Sequence, residues 1–243
     1  MIHPSLSSLF QPPVLFSGLS WYQLLPAWAA VTLGALIQGT IGFGIALIAA
    51  PLLLILNPHL IPGPLMLATL FLTVLTWWRE RKEVLWRDIP VALSGRIIGT
   101  VIGTTAMAIL PVDLLVATMG VLLILAAIMS SKIPPFHPSK RVLVLAGLLS
   151  GVMGTMTSAG GPPMLLAYQH IPGPRMRATL GAFFSIGILL SLVSLAAIQR
   201  FGIAEGLMGL SFVPAILGKR RTNPRVPKIF QIHDSRSIFP TQG

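Results

Sequence analysis

The chain has 243 residues, 54% of them hydrophobic and only 9% charged, with a mean hydropathy of +0.83. Soluble domains carry about 25% charged residues, so this composition excludes a water-facing globular fold and points to an all-α polytopic membrane protein. The net charge of +11 sits in short loops and in the last 25 residues, where it reads as a topology signal under the positive-inside rule, and nucleic acid is not an expected partner. The chain lacks the ten-residue alternating segments of a membrane β-barrel. It has no cysteine, which removes disulfides and thiol chemistry. No Lys or Arg precedes the first apolar stretch, so the N-terminus is a poor signal peptide.

Residues 1–27 form a weakly apolar N-terminal segment containing Pro and Ser. Residues 28–130 read as a first membrane unit. It opens with the apolar run Trp28–Leu56, interrupted by Gln38-Gly39-Thr40-Ile41-Gly42-Phe43-Gly44. As one straight helix this run would be about 43 Å long, against a hydrocarbon core of about 30 Å. Its glycines weaken helix in the middle, so a broken or re-entrant helix is expected. A second span covers about Leu65–Trp78 and ends in the charged loop Arg79–Asp88. Ile89–Leu110 is a third span and Leu114–Met129 a fourth. A basic, Pro-rich loop, residues 131–141, follows.

The pattern then restarts as a second unit over residues 142–218. Val142–Tyr168 is apolar and expected to break twice, at Gly151-Val152-Met153-Gly154 and at Ser158-Ala159-Gly160-Gly161-Pro162-Pro163. A shift of 112 superposes Gly39 on Gly151, Gly42 on Gly154 and Pro51 on Pro163. A shift of 110 superposes IPGPLMLATL (Ile61–Leu70) on IPGPRMRATL (Ile171–Leu180), with eight of ten letters identical. Such duplication is how many secondary transporters are built. Met176–Ile198 is the next span, and Gly206–Gly218 begins another. Residues 219–243 are a basic polar tail with six Lys/Arg and no apolar stretch of spanning length. The second unit therefore reads as incomplete, through truncation or a changed reading frame; a natural cytoplasmic tail is the plainer alternative.

Orientation follows from charge. The first unit places Arg79, Arg81, Lys82 and Arg87 after its IPGP-led span, whereas the second places Arg175 and Arg177 before the equivalent span. The equivalent spans should run in opposite directions. If the broken segments are re-entrant, the units form an inverted repeat; if they cross fully, the units are parallel, and inversion is preferred.

The glycine-rich breaks are the leading site candidates. Unwound backbone inside a membrane occurs only where it is buried in protein or lines a polar cavity. Freed helix N-termini offer N–H groups and partial positive charge to an anion. The substrate-binding set is Gln38, Gly39, Thr40, Gly42, Gly44, Arg96, Gly151, Gly154, Thr157, Ser158, Gly160 and Gly161, with Ser150 and Thr155 as further hydroxyls. Close helix packing through small residues is the competing reading. Arg96 is the one cation clearly inside an apolar span, and it either snorkels to the loop side or contacts an anion. The five histidines form no metal-ligand cluster, and no metal or cofactor is expected. His59 and His170 read as interfacial, with proton coupling left open. Trp77, Trp78 and Trp86 read as interface anchors. Glu80, Glu83, Asp88 and Asp113 lie in loops or turns, which argues against an intramembrane hydrolase or other enzyme.

Gly34–Leu54, with its GFG and Pro51, resembles the opening of the TauE/SafE sulfite-exporter family. So does Gly151–Gly154 followed by Gly160-Gly161-Pro162-Pro163, and so does the third span with Gly95, Gly99 and Gly103. The resemblance covers about residues 28–218 and departs after Gly218, where the family's last two spans are missing or replaced. It implies a permease of the bacterial inner membrane, a secondary carrier without an ATPase domain, and a small sulfur-containing or organic anion as substrate. A non-transporting membrane component is the alternative implied by the incomplete second unit.

Overall fold

The computed structural model describes residues 21–41, 45–132, 139–168 and 170–214. Among these residues all regular structure is helical. The helices are α1 (Trp21–Ile41), α2 (Ile45–Leu56), α3 (Gly63–Arg79), α4 (Ile89–Ile109), α5 (Val112–Lys132), α6 (Lys140–Thr157), α7 (Gly161–Tyr168), α8 (Gly173–Ala197) and α9 (Ile203–Ser211). Helices α4, α6 and α8 are long and apolar enough to cross a membrane, and Leu24–Gln38, Ile45–Leu56 and Asp113–Met129 are shorter apolar stretches. Large side chains such as Ile55, Ile98, Val121, Ile124 and Val193 remain exposed. In water that would be unfavourable; against lipid it costs nothing, since the acyl chains are as apolar as leucine.

Two helix pairs organise the bundle. Helices α4 and α6 run parallel in very close contact. A Cβ on Gly95, Gly99 or Gly147 would collide with the backbone carbonyl of Val144, Leu148 or Ala92 respectively, and one on Gly151 would lie 2.6 Å from the Arg96 carbonyl oxygen. Each helix thus lends glycines to the other, and backbone packs on backbone. Helices α3 and α8 run antiparallel. Arg177 at the start of α8 meets Glu80 just past the end of α3 at 2.5 Å, and Ser185 Oγ donates to Thr73 Oγ1 at 3.2 Å farther along. Both helices begin at an IPGP block with Pro in the first turn, where a missing N–H is harmless.

The chain folds back at the second break. Helix α6 enters parallel to α4 from the charged-loop end. Ser158 then adopts left-handed backbone (φ 64°) and its N–H closes on the Gly154 carbonyl. Helix cannot continue, because Pro162 and Pro163 lack N–H groups and crowd the preceding turn. Helix α7 returns towards the charged loop, where Tyr168 Oη donates to Asp88 Oδ2 at 3.4 Å.

Several expectations change. The expected break at Gly151-Val152-Met153-Gly154 is absent: α6 runs through it, because contact with α4 outweighs the roughly 1 kcal/mol helix cost of each glycine. Gly39 and Thr40 belong to the end of α1 rather than to an unwound segment. Helix α1 begins at Trp21, inside the stretch read as a separate N-terminal segment. Gly42, Gly44 and residues 215–243 lie outside the described residues, as does the expected completion of the last span.

Gly99→Ala should force α4 and α6 apart and cost about 1–3 kcal/mol, seen as a lower melting temperature of the solubilised protein. Gly120 on α5 has nothing within 4 Å of a would-be Cβ, so Gly120→Ala should leave the melting temperature unchanged or raise it. Equal effects at the two positions would contradict the close α4–α6 packing.

Candidate functional site

The end of α1, the start of α2 and the turn before α7 border one cavity. Its wall takes Gln38 from the end of α1, Ile45, Ala46 and Leu47 from the start of α2, and the turn Ser158–Pro162 between α6 and α7. Met66, Thr69 and Thr73 of α3, Phe184 and Ile188 of α8, and Arg96 of α4 complete it. Its volume is about 40 Å³, in a measure where one water needs about 10–15 Å³. It therefore holds roughly three water-sized positions. Among the described residues none of those lining it is acidic, and Arg96 is the one cation.

Arg96 is 1% exposed, so it does not snorkel. Its guanidinium fits where three glycines leave room. A Cβ would lie 2.6 Å from Nη1 at Gly154, 2.9 Å from Nη1 at Gly160, and 2.8 Å from Nε at Gly187. Nη1 donates to the Ser150 carbonyl (2.5 Å) and to Ser150 Oγ (2.9 Å). Nη2 donates to the Gly187 carbonyl (3.3 Å) and to Ser191 Oγ (3.2 Å). The ring of Phe183 lies 5.9 Å from Cζ, within cation–π range. Nε is buried with no hydrogen-bond partner. Among the described residues no carboxylate pairs with this guanidinium, and its charge is solvated by neutral dipoles.

The other polar groups are more committed than their residue types suggest. Gln38, 3% exposed, accepts the Ile45 N–H on Oε1 at 2.9 Å and so caps the start of α2. Ser158 Oγ donates to the Pro62 carbonyl at 2.8 Å, tying the turn to the start of α3. Thr69 and Thr73 donate to the carbonyls of Leu65 and Leu70. The Ala159 N–H is taken by Thr157 Oγ1 at 3.1 Å, and Pro162 has none. The two helix starts therefore offer fewer free N–H groups than a pair of bare breaks would.

Of the expected set, the structure brings Gln38, Arg96, Gly154, Ser158, Gly160 and Gly161 to the cavity wall. Thr157 supports the turn from behind it, and Gly151 packs against Gly99 instead. The surroundings of Gly39 and the side chain of Thr40, and the whole of Gly42 and Gly44, lie outside the described residues. Sequence reading missed Thr69, Thr73, Met66, Phe184, Ile188, Gly187 and Ser191. A signal existed for some: Gly187 and Ser191 are four apart, one helical turn, in an otherwise apolar span. Beyond Arg96, hydroxyls pair across helices, Thr155 with Ser191 and Thr104 with Ser194, each at 2.9 Å. Thr100 Oγ1 beside them is buried without a partner. Among the described residues no group of His, Asp and Glu is placed to hold a metal ion. His170 lies exposed in the loop before α8, away from the cavity.

The family described as Sulfite exporter TauE/SafE matches residues 27–232. The match extends past Gly218, where the sequence resemblance was placed. No curated protein and no solved structure matches the chain. The family match covers most of the length and agrees with an all-helical, lipid-facing bundle. The chain belongs to the TauE/SafE sulfite exporter family of membrane transporters.

Proposed function

We propose that this protein is a secondary carrier of small sulfur-containing or organic anions, with the cavity beside Arg96 as its substrate site. One observation carries the reading. A buried guanidinium with no acid partner among the described residues forms part of a cavity bordered by the start of α2 and by the turn before α7. A charge inside a membrane protein is costly unless compensated, and marks a functional site by default. A bound anion supplies the compensation that the protein withholds. Gly160 and Gly161 add backbone N–H groups at the start of α7, where the helix dipole favours negative charge.

Alternating access between two inverted units (residues 28–130 and 142–218) accounts for the helix arrangement. The antiparallel α3 and α8 are the equivalent IPGP-led helices. Helix α9 packs on α3 as α4 packs on α8, as a two-fold relation in the membrane plane requires. The return of α7 to Asp88 supports a re-entrant hairpin for α6–α7. The faces differ in how they are closed. At the charged-loop face, Arg177 pairs with Glu80 at 2.5 Å and Arg175 with Glu83 at 3.5 Å. At the other face, the pairing is apolar: Gly63 abuts Phe201 and Gly209 abuts Leu67. Leu65 and Leu67 of the first repeat became Arg175 and Arg177 in the second, which makes one gate ionic. By the positive-inside rule that gate is cytoplasmic, in a bacterial inner membrane as the family resemblance implies. The lipid bilayer is the medium, and no nucleic acid, metal or enzymatic step enters.

Two experiments test this. Proteoliposomes holding the full chain should take up labelled sulfite or a sulfonate saturably, and Arg96→Gln should lower that uptake roughly 100-fold, with Arg96→Lys intermediate. Undiminished uptake by Arg96→Gln would refute the site; no saturable uptake by correctly inserted protein would favour a non-transporting component. For the gate, a single cysteine at Thr73 reports access to the cavity, since the chain has no cysteine of its own. Arg175→Gln with Arg177→Gln should speed its labelling by impermeant reagents from the charged-loop face up to about fivefold, matching the roughly 1 kcal/mol of partly exposed ion pairs. An unchanged rate would contradict an ionic gate.

A further inference from the structure

The chemistry of the cavity wall bears on which anions fit, a question that rests on the site proposed above. We propose that the site accepts singly charged anions carrying an apolar end and rejects dianions. Arg96 brings one positive charge, arginine being always protonated in proteins, and among the described residues no other lining residue is ionisable. A monoanion brings the pair to neutrality. A dianion leaves one net negative charge buried, which low-dielectric surroundings penalise heavily.

Donor supply leads to the same result. A compact dianion sheds a dense hydration shell and needs many N–H or O–H groups to replace it. Here the hydroxyl protons of Thr69, Thr73 and Ser158 are held by backbone carbonyls. The N–H groups of Ile45 and Ala159 are held by Gln38 and Thr157, which leaves Gly160 and Gly161 as the backbone donors of the turn. Both terminal nitrogens of Arg96 are bonded to Ser150, Gly187 and Ser191, leaving Nε as its unpartnered donor. Such a guanidinium presents one charge and one N–H rather than a bidentate fork. Much of the remaining wall is apolar: Ala46, Leu47, Met66, Phe184 and Ile188. A headgroup at Nε with a methyl-sized substituent against Phe184 matches this division. The roughly 40 Å³ of space excludes long tails. Methanesulfonate meets both conditions and hydrogen sulfite the charge condition; sulfite dianion and sulfate meet neither.

The test is direct binding to the purified full-length protein by titration calorimetry, with methanesulfonate and sulfate at constant pH and ionic strength. Wild-type protein should bind methanesulfonate at least about tenfold more tightly than sulfate. Affinity for total sulfite should fall as pH rises through the conversion of hydrogen sulfite to sulfite. Arg96→Gln should lose methanesulfonate binding, while Arg96→Lys should keep the monoanion preference at lower affinity. Sulfate binding as tightly as methanesulfonate, with loss of both in Arg96→Gln, would overturn the charge rule and leave the site standing. Binding that Arg96→Gln leaves intact, or no binding to folded wild type, would overturn the site as well.

Discussion

A guanidinium held in a membrane-thick helix bundle without a carboxylate constrains everything around it. Moving such a charge from water into an apolar medium costs several kcal/mol even after relaxation. Here Arg96 is surrounded by carbonyl and hydroxyl dipoles from Ser150, Gly187 and Ser191 and by the face of Phe183. These groups belong to α6 and α8, so both helices must approach α4 closely. That approach accounts for glycine at positions 154, 160 and 187, each of which would otherwise press a Cβ against the guanidinium. Dipoles stabilise the cation without neutralising it, and this leaves electrostatic room for an anion.

The scaffold serves that arrangement. Reciprocal glycines lock α4 to α6 and fix the height of Arg96 relative to the turn at Ser158. The antiparallel α3–α8 pair carries the remaining wall. The two pairs meet along a line that contains the cavity, Arg96, and the hydroxyls Thr104, Thr155, Ser191 and Ser194. Across that line Arg96 of α4 reaches the Gly187 carbonyl and Ser191 Oγ of α8, and apolar side chains of both pairs share one core.

Much of the architecture was legible in the sequence. The near-absence of charge identified the lipid-facing bundle, and span limits fell within a few residues of α3, α4, α5 and α8, because apolar runs between charged loops mark membrane helices directly. Each IPGP block opens a helix, α3 or α8, and the Arg175 and Arg177 differences point to opposed directions for these two helices, which pack antiparallel. Other features were not legible, because they depend on contact between distant segments. Gly151 and Gly154 looked like a helix break, yet α6 runs through them because α4 lies alongside. Local sequence cannot tell a glycine that frees the backbone from one that admits a neighbour. Arg96 was singled out, but only tertiary structure decides between snorkelling and burial. The hydroxyls of Thr157 and Ser158 suggest donors to a solute, yet they donate to the carbonyls of Met153 one turn away and of Pro62 at the start of α3.

The central claim, that an anion completes the charge balance of Arg96, is tested most directly by locating one. An experimental structure of the full chain with hydrogen selenite, a heavier analogue of hydrogen sulfite, places the anion by its anomalous signal. The account predicts selenium in the cavity, with an oxygen about 3 Å from Arg96 Nε and Phe184 on its far side. Selenium bound elsewhere, with the space beside Arg96 closed by side chains or empty of anion at saturating concentration, would contradict it.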